Sequence, residues 1–598
     1  MRNHIANKIE AKDKSLSKIL NDERFKIDVF QREYRWRRKH IEDLISDLAI
    51  SFLSNYKIGD GLDKYDSYDS YYMGPIVLCE NNGSLSIVDG QQRLTSFTLL
   101  LLYLNHLQNS LGIAKESQKD LNKYLYVTKG GKTTLILDID TRESIIKHLY
   151  ENPTEIFEGD LEDESVRNII DRYEDITNLF PEDIKNADVL PVFIEWLIFK
   201  VVLVEVRAFS MENAYTIFET MNDRGLNLSP TEMLKGYLLS KVEDDDKSYE
   251  LNELWKSRIN SIRATVGSDG DLDFFRAWLR AKYAETIRPT KQGATNEDFE
   301  TIGTQFHAWV RSNSPEKTGL SSPDDHFFFL QSDFDYYSSL YEQIYNYRKH
   351  NNEEQNELYI SNFYSIADSL SYPLYLSPLT KLDDNKTIQQ KIKMVGKYLD
   401  IYTNLRILSG KAITQSSIRY SMYELVKSIR NVNTDMLLNI FESEIQKSID
   451  KESEVFSPLH VMDNWGYFHY FFARILYTFL KEKDESKINF IDLMRSRKRN
   501  SLVLYRFVNE GEPDNGIEPQ LWENYIGSVP AFCLVRRNEL DYLYQLNQCD
   551  RIKYLIENGF MPELGVYDLS LIRPNHITEF ISNRGVIISS LIREIWSI

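Results

Sequence analysis

The run Ile87-Val88-Asp89-Gly90-Gln91-Gln92-Arg93 gathers a carboxylate, a glycine, two carboxamides and a guanidinium between an apolar strand-like segment and an apolar helical one. Phosphate chemistry suits this combination. A strand that turns tightly into a helix leaves free main-chain N–H groups and the positive end of the helix dipole facing one point. Arg93 adds a guanidinium able to grip phosphate through two parallel hydrogen bonds. Gly90 permits close backbone approach, and the Gln91 and Gln92 amides can donate, accept, or position an attacking water. Asp89 runs against the pattern, because a carboxylate repels phosphate. A divalent cation such as Mg2+ reconciles the two by taking Asp89 as a ligand; the carboxylate can also serve as a base that orients water. The plain alternative is structural, with Asp89 as a simple N-cap and Arg93 as a surface charge.

Asp89-Gly90-Gln91-Gln92-Arg93 after a strand resembles the hallmark of the GmrSD-type restriction proteins (type IV, modification-dependent), whose N-terminal domain is ParB-like, of the sulfiredoxin-like superfamily. Two further segments are similar to that family. Upstream, Phe30-Gln31-Arg32-Glu33-Tyr34-Arg35-Trp36 resembles its Gln-Arg-x-Tyr-x-Trp element. Downstream, Phe218 to Ser229, with Asn222-Asp223-Arg224-Gly225 at its centre, resembles its Asn-Asp-Arg-Gly segment. Three matches in the right order within the first 240 residues are far more specific than one. The resemblance implies a nucleoside triphosphate as ligand. Sulfiredoxins themselves carry a reactive Cys before His-Arg at the matching place; Gln91 and Gln92 stand there here, which excludes thiol chemistry at this loop.

Gln31, Arg32 and Tyr34, with Trp36, are expected to form a polar wall of the same pocket or a reader of modified DNA. The alternative is a strand-to-helix turn with aromatic packing. Arg35, Arg37, Arg38, Lys39 and His40 make this stretch the best basic patch of the chain, although such a run can equally be a solvated face. Asn222 and Arg224 are expected to close the nucleotide pocket, Arg224 as a second phosphate-facing cation; the alternative is a turn whose Asn and Gly supply the backbone angles. Lys235 is a weaker candidate.

The elements that must position these residues can be read from periodicity and turn chemistry. Residues 1–24 are expected as a polar helix with a thin stripe of Ile5, Ile9, Leu16 and Leu20. A strand with Phe25, Ile27 and Val29 follows, then an amphipathic helix over 38–54 with Ile41, Leu44, Ile45 and Leu48 on one face. Residues 58–72 read as a mobile loop. Strands over 74–80 and 84–88 flank the hairpin signal Asn81-Asn82-Gly83, and a helix runs from Gln91 to about His106. Residues 110–190 are expected as an insertion, with a strand at 134–139 and helices around 141–150 and 164–180. Leu197 to Phe209 reads as a buried strand. Ser229, Pro230 and Glu232 spell a strong helix start, with N-cap, first-turn proline and capping box.

The fold class expected is α+β: a ParB-like nucleotide-binding domain over 1–244, a helical domain over 245–485, and a C-terminal domain over 486–598. A chain of 598 residues exceeds one core, and its 42% hydrophobic content with few prolines and glycines argues against extended disorder. The net charge of −19 confines any nucleic-acid footprint to a local patch and predicts selective rather than tight non-specific DNA engagement. Cys79, Cys533 and Cys549 are too dispersed for a disulfide framework or a zinc motif. Without a signal peptide or a membrane-length apolar run, the expected compartment is the cytoplasm, with no membrane partner.

The resemblance extends in part to the C-terminus, where GmrSD proteins carry an HNH-type nuclease domain. Trp522 to Ser528, Arg537-Asn538 and a closing helix with Arg584 and Trp596 resemble its later half. Its histidine is missing: Leu502 to Phe507 reads Leu-Val-Leu-Tyr-Arg-Phe, and no histidine lies between His469 and His576. An HNH site needs a His base and metal ligands, so this domain is expected to be degenerate, with His576 a capping or packing residue. The expected function is anti-phage defence. Asp89, Gln91 and Arg93, assisted by Arg32 and Arg224, would hydrolyse a nucleoside triphosphate and so gate attack on foreign, modified phage DNA. A partner subunit with an intact nuclease would cut, and a homo-oligomer is an open alternative. The rival readings are a non-hydrolytic sensor or scaffold for a nuclease, and a nuclease acting through the N-terminal pocket.

Overall fold

The computed structural model describes residues 9–21, 23–27, 34–81, 84–129, 131–138, 143–153, 155, 157, 159, 163–210, 213–214, 217, 229–289, 293–352, 355–450, 461–482, 489–494 and 501–596. The chain divides into two compact units, Met1–Glu253 and Leu254–Ile598.

The first unit is α+β, built on a six-stranded mixed sheet. Its strands are β1 (Ile9–Ser15), β2 (Phe25–Lys26), β3 (Tyr71–Asn81), β4 (Ser84–Asp89), β7 (Leu137–Asp138) and β8 (Val201–Ala208), in the order β1-β8-β3-β4-β2-β7. A separate hairpin pairs β5 (Tyr126–Lys129) with β6 (Lys132–Leu135). Between strands run α1 (Arg38–Leu53), α2 (Gln91–Ser110), α3 (Glu143–Glu151), α4 (Glu164–Leu179) and α5 (Leu190–Lys200), and α6 (Pro230–Leu239) follows the sheet. The 38–54 periodicity is realised in α1, which buries Ile41, Leu44, Ile45 and Leu48. Helix α2 is buried on all sides from Leu94 to Leu104, including Thr95, Ser96 and Thr98. A helix buried all round belongs in the middle of a core, and α2 is accordingly packed by α3, α4 and α5.

Several expectations are corrected. The segment Ile9–Ser15 is a strand, antiparallel to β8, not part of a helix. Its charged residues suit an edge strand, and Lys14 Nζ reaches buried Glu205 at 2.7 Å. The thin stripe of isoleucines and leucines looked helical because ladder pairing with a distant strand leaves no local signal. The 58–72 segment is pinned rather than loose. A short 3-10 turn covers Leu62–Ser67, Tyr65 stacks on Phe199 at 5.5 Å, and Trp196 Nε1 donates to the Asp69 carbonyl at 3.0 Å. The Leu197–Phe209 run divides: α5 continues through Lys200, and the strand begins at Val201. Residues 110–190 supply β7 to the main sheet beside β2, and α4 to the packing of α1 and α2.

In the second unit the described residues between 254 and 494 form helices and their connections. β9 (Leu502–Arg506) and β10 (Phe532–Arg536) then pair antiparallel. The segment expected to carry an HNH histidine forms β9, an ordinary strand whose Leu504 faces Leu534 in register. His576 is the N-cap residue of the last helix, Ile577–Ile595, and its Nδ1 lies 3.2 Å from Glu579 Oε2.

A buried carboxylate organises this unit. Asp400 accepts from Tyr470 Oη at 2.9 Å, from Asn404 Nδ2 at 3.2 Å and from Trp596 Nε1 at 3.0 Å, with Arg474 Nη2 at 3.3 Å. Trp596 also stacks on Phe471, with centroids 5.3 Å apart. Trp596→Phe keeps the stack and removes one donor from a buried charge. It is expected to cost about 1–3 kcal/mol, read as a lower midpoint in chemical denaturation. An unchanged midpoint would mean that the bond adds nothing net.

Candidate functional site

Strand β4 ends at Asp89, and the chain turns at Gly90 with φ = +97° before α2 begins at Gln91. This left-handed conformation is open to glycine and strained for other residues. The site is also crowded: a Cβ on Gly90 would stand 2.5 Å from Ile76 Cγ2 of the neighbouring strand. Gly90 is itself the N-cap residue and brings no side chain to cap the helix. The plain alternative of Asp89 as N-cap therefore fails. Its carboxylate turns instead to Arg93 Nη2, 3.5 Å away.

Arg93 folds back over β3. Its Nη1 donates to the Pro75 carbonyl beside Gly74, another left-handed glycine at φ = +108°. A Cβ on Gly74 would sit 3.4 Å from that nitrogen. The guanidinium thus lies across a strand that bulges between Tyr72 and Gly74. Asp89 and Arg93 side chains are 29% and 23% exposed, so both can reach a ligand from solvent.

The two glutamines are in different situations. Gln92 is spent on structure: its Oε1 accepts the Arg35 main-chain N–H at 2.8 Å, and its carbonyl accepts from Ser96 Oγ at 2.9 Å. Gln91 is only 7% exposed, yet its Nε2 is buried with no hydrogen-bond partner among the described residues. An unpaired buried amide costs stability until something accepts from it. At the uncapped end of a helix, such a donor suits an oxygen-rich ligand or an ordered water.

Of the upstream element, Gln31 and Arg32 lie outside the described residues, as do Asn222, Asp223 and Arg224 downstream. Tyr34 is fully buried, with its hydroxyl 2.8 Å from Ser96 Oγ, and so supports α2 from within the core. Lys235 is buried within α6. The basic patch is largely partnered: Arg38 pairs with Asp175 at 2.6 Å, Lys39 with Asp43 at 2.9 Å, and Arg35 with Glu232 at 3.2 Å.

Sequence reasoning missed the residues that hold the 34–38 segment. Ser165 Oγ accepts the Tyr34 N–H at 3.0 Å, and Asn168 Nδ2 donates to the Tyr34 carbonyl at 2.8 Å. Arg172 Nη1 donates to the Trp36 carbonyl at 3.0 Å, and Asp175 accepts from both Arg172 and Arg38 at 2.6 Å. All four are on α4, spaced three, four and three apart, which is one helical face. That polar stripe within an amphipathic helix was the available signal.

Among the described residues no three His, Cys, Asp or Glu side chains gather as a metal cluster. Mg2+, however, is commonly held by one or two carboxylates together with substrate phosphates, and an accessible Asp89 beside the uncapped helix end fits that donor set. Cys79 and Cys533 are buried, and burial pushes the Cys533 thiol up to about 12, leaving it inert. No described helix is long and apolar enough to cross a membrane.

Residues 16–239 match the family model described as GmrSD restriction endonuclease, N-terminal domain. No curated protein matches the chain.

Proposed function

With residues 16–239 forming a GmrSD restriction endonuclease N-terminal domain, this chain is a GmrSD-type protein, and from that premise we propose that it binds and hydrolyses a nucleoside triphosphate at the N-terminus of α2 and uses the turnover to gate restriction of foreign, modified DNA. One observation carries this reading. The start of a core-buried helix carries a left-handed glycine, a partly exposed guanidinium and a buried amide nitrogen with no hydrogen-bond partner among the described residues.

In the proposed site the first-turn N–H groups and Arg93 take the phosphate oxygens, as anion sites at helix starts do. The Gln91 amide orients a water in line with the terminal phosphorus, and the Asp89 carboxylate accepts a hydrogen bond from that water. The new bond joins the water oxygen to phosphorus while the bond to the leaving phosphate oxygen breaks, and the water's proton passes to the Asp89 carboxylate and from there to solvent. A divalent cation held by Asp89 would neutralise charge on the phosphates. Binding of phosphate by Arg93 also relieves Asp89 of its ion pair, freeing the carboxylate for these roles. Arg32, Asn222 and Arg224 complete the proposed pocket on the strength of the family motifs. Cutting is assigned to a partner subunit with an intact nuclease, because no histidine occurs between residues 469 and 576.

The division between the glutamines gives the test. Gln91→Ala is expected to lower kcat by about 10²-fold, the scale of losing one positioned donor, with thermal stability unchanged or slightly raised because a buried unpaired amide is removed. Gln92→Ala removes the acceptor of the Arg35 N–H and is expected to lower the unfolding midpoint as well as activity. Equal kinetic effects with equal stability losses would contradict the assignment. Nucleotide binding without turnover in the wild type would favour the non-hydrolytic sensor.

A further inference from the structure

Arg35 stands between two helix starts. Its main-chain N–H is anchored on Gln92 in the first turn of α2 at 2.8 Å. Its Nη1 lies 3.2 Å from Glu232 Oε1, in the first turn of α6. Glu232 is doubly engaged, because its Oε2 also accepts the Ser229 N–H at 3.0 Å and closes the capping box that begins α6. The chain of contacts thus runs from the proposed nucleotide end of α2, through one residue, to the cap of another helix. A third feature completes it: Arg35 Nε is buried and has no hydrogen-bond partner among the described residues. A guanidinium has its donors in a rigid fork, so an oxygen acceptor at Nε can be engaged while Nη1 stays on Glu232.

We propose that Arg35 is a positioning residue that transmits occupancy of the α2 N-terminus to the start of α6, by donating from Nε to a phosphate oxygen or its hydrating water while its Nη1 holds Glu232. The inference rests on the nucleotide reading of the site. It concerns a residue that the family-like element leaves variable, the position between Tyr34 and Trp36. The bridge makes α6 a reporter of the ligand: with Nε satisfied the guanidinium is immobilised, its pairing with Glu232 tightens, and the capping box opens less often. Coupling of this kind is a difference in affinity between two states of α6, so it must also work in reverse. Weakening the pair at Glu232 must weaken nucleotide binding, although Glu232 belongs to a different helix.

The test is hydrogen exchange of the α6 amides in the full chain, with and without a non-hydrolysable nucleoside triphosphate and Mg2+, and binding measured by calorimetry on the same samples. In wild type the nucleotide is expected to slow exchange in the first turns of α6 at least about fivefold, the low end of couplings between sites. Arg35→Gln and Glu232→Gln should each abolish that protection and weaken binding by a similar factor, and the double variant should be no worse than either. Glu232→Gln retains an acceptor for the capping box, so its effect is not loss of the helix start. Arg35→Lys should not rescue, lacking the fork. Protection of α6 by nucleotide that persists in Arg35→Gln or Glu232→Gln overturns the inference. Nucleotide binding by wild type without any protection of α6 overturns it also but leaves the nucleotide reading standing. Absence of binding by wild type overturns both.

Discussion

Arg93→Ala is expected to lower nucleoside triphosphate turnover by about 10²–10³-fold, the scale of removing one preorganised donor from developing phosphate charge. Arg93 is the described cation at the α2 start that is both reachable from solvent and able to contact phosphate through two nitrogens. Its present partners are exchangeable: a strand carbonyl at Pro75 and a 3.5 Å ion pair with Asp89. A long, partly exposed pair of this kind contributes little to stability, roughly 0–1 kcal/mol. The variant should therefore unfold within a few degrees of wild type while losing activity. Arg93→Lys keeps the charge but not the fork, and is expected to recover only part of the rate. Turnover by Arg93→Ala at the wild-type rate would remove the residue from the mechanism.

Gly90→Ala is expected to damage fold and function together. Two separate costs combine at this position. The backbone at φ = +97° is unfavourable for any residue with a Cβ, at about 1–3 kcal/mol. The added methyl would also stand 2.5 Å from Ile76 Cγ2 and 3.1 Å from Ile76 Cβ. A rotamer change in Ile76 moves Cγ2 but not Cβ, so it cannot clear the whole contact, and overpacking of this kind costs about a further 1–3 kcal/mol. Because Gly90 sets the direction in which α2 leaves the sheet, the shift moves Gln91 and Arg93 with it. Denaturation should show a loss of about 2–6 kcal/mol from the two costs, with nucleotide turnover falling at least as far as in Arg93→Ala. The two costs can be separated. Ile76→Ala opens space beside Gly90, so the double variant should be less destabilised than the two single losses added together, while the backbone cost remains. Strict additivity would show that the contact with Ile76 plays no part.

What the sequence disclosed about this site, and what it withheld, follow from how local each feature is. The strand–glycine–helix junction was legible because its ingredients are consecutive: Ile87 and Val88, then Gly90, then the apolar run from Leu94. The α6 start was legible for the same reason, since Ser229, Pro230 and Glu232 carry their capping chemistry within one turn. The apolar face of α1 followed from its 3.6-residue period. Harder to foresee was anything settled across the fold. That Asp89 faces Arg93 rather than capping α2 depends on Gly90 taking the cap position. That Gln92 Oε1 is occupied depends on Arg35, 57 residues upstream. The clamp on residues 34–38 comes from α4, more than a hundred residues further along the chain. Strand β1 was misjudged because its partner β8 lies some two hundred residues away and its own composition is that of a charged edge. Aromatic residues 65 and 68, in a stretch rich in Asp, Gly and Ser, were the overlooked sign that the 58–72 segment is anchored: Tyr65 stacks on Phe199, and Tyr68 is buried with its hydroxyl on Asp60 at 2.6 Å.

The central claim is that the start of α2 binds a nucleoside triphosphate. Calorimetric titration of the full chain with a non-hydrolysable triphosphate and Mg2+, for wild type and Arg93→Ala side by side, tests it most directly. The account predicts saturable one-site binding by wild type, weakened at least about tenfold by loss of one charge-assisted contact of about 1.5–3 kcal/mol in Arg93→Ala. Absence of binding to wild type, or equal binding by the two proteins, would contradict it.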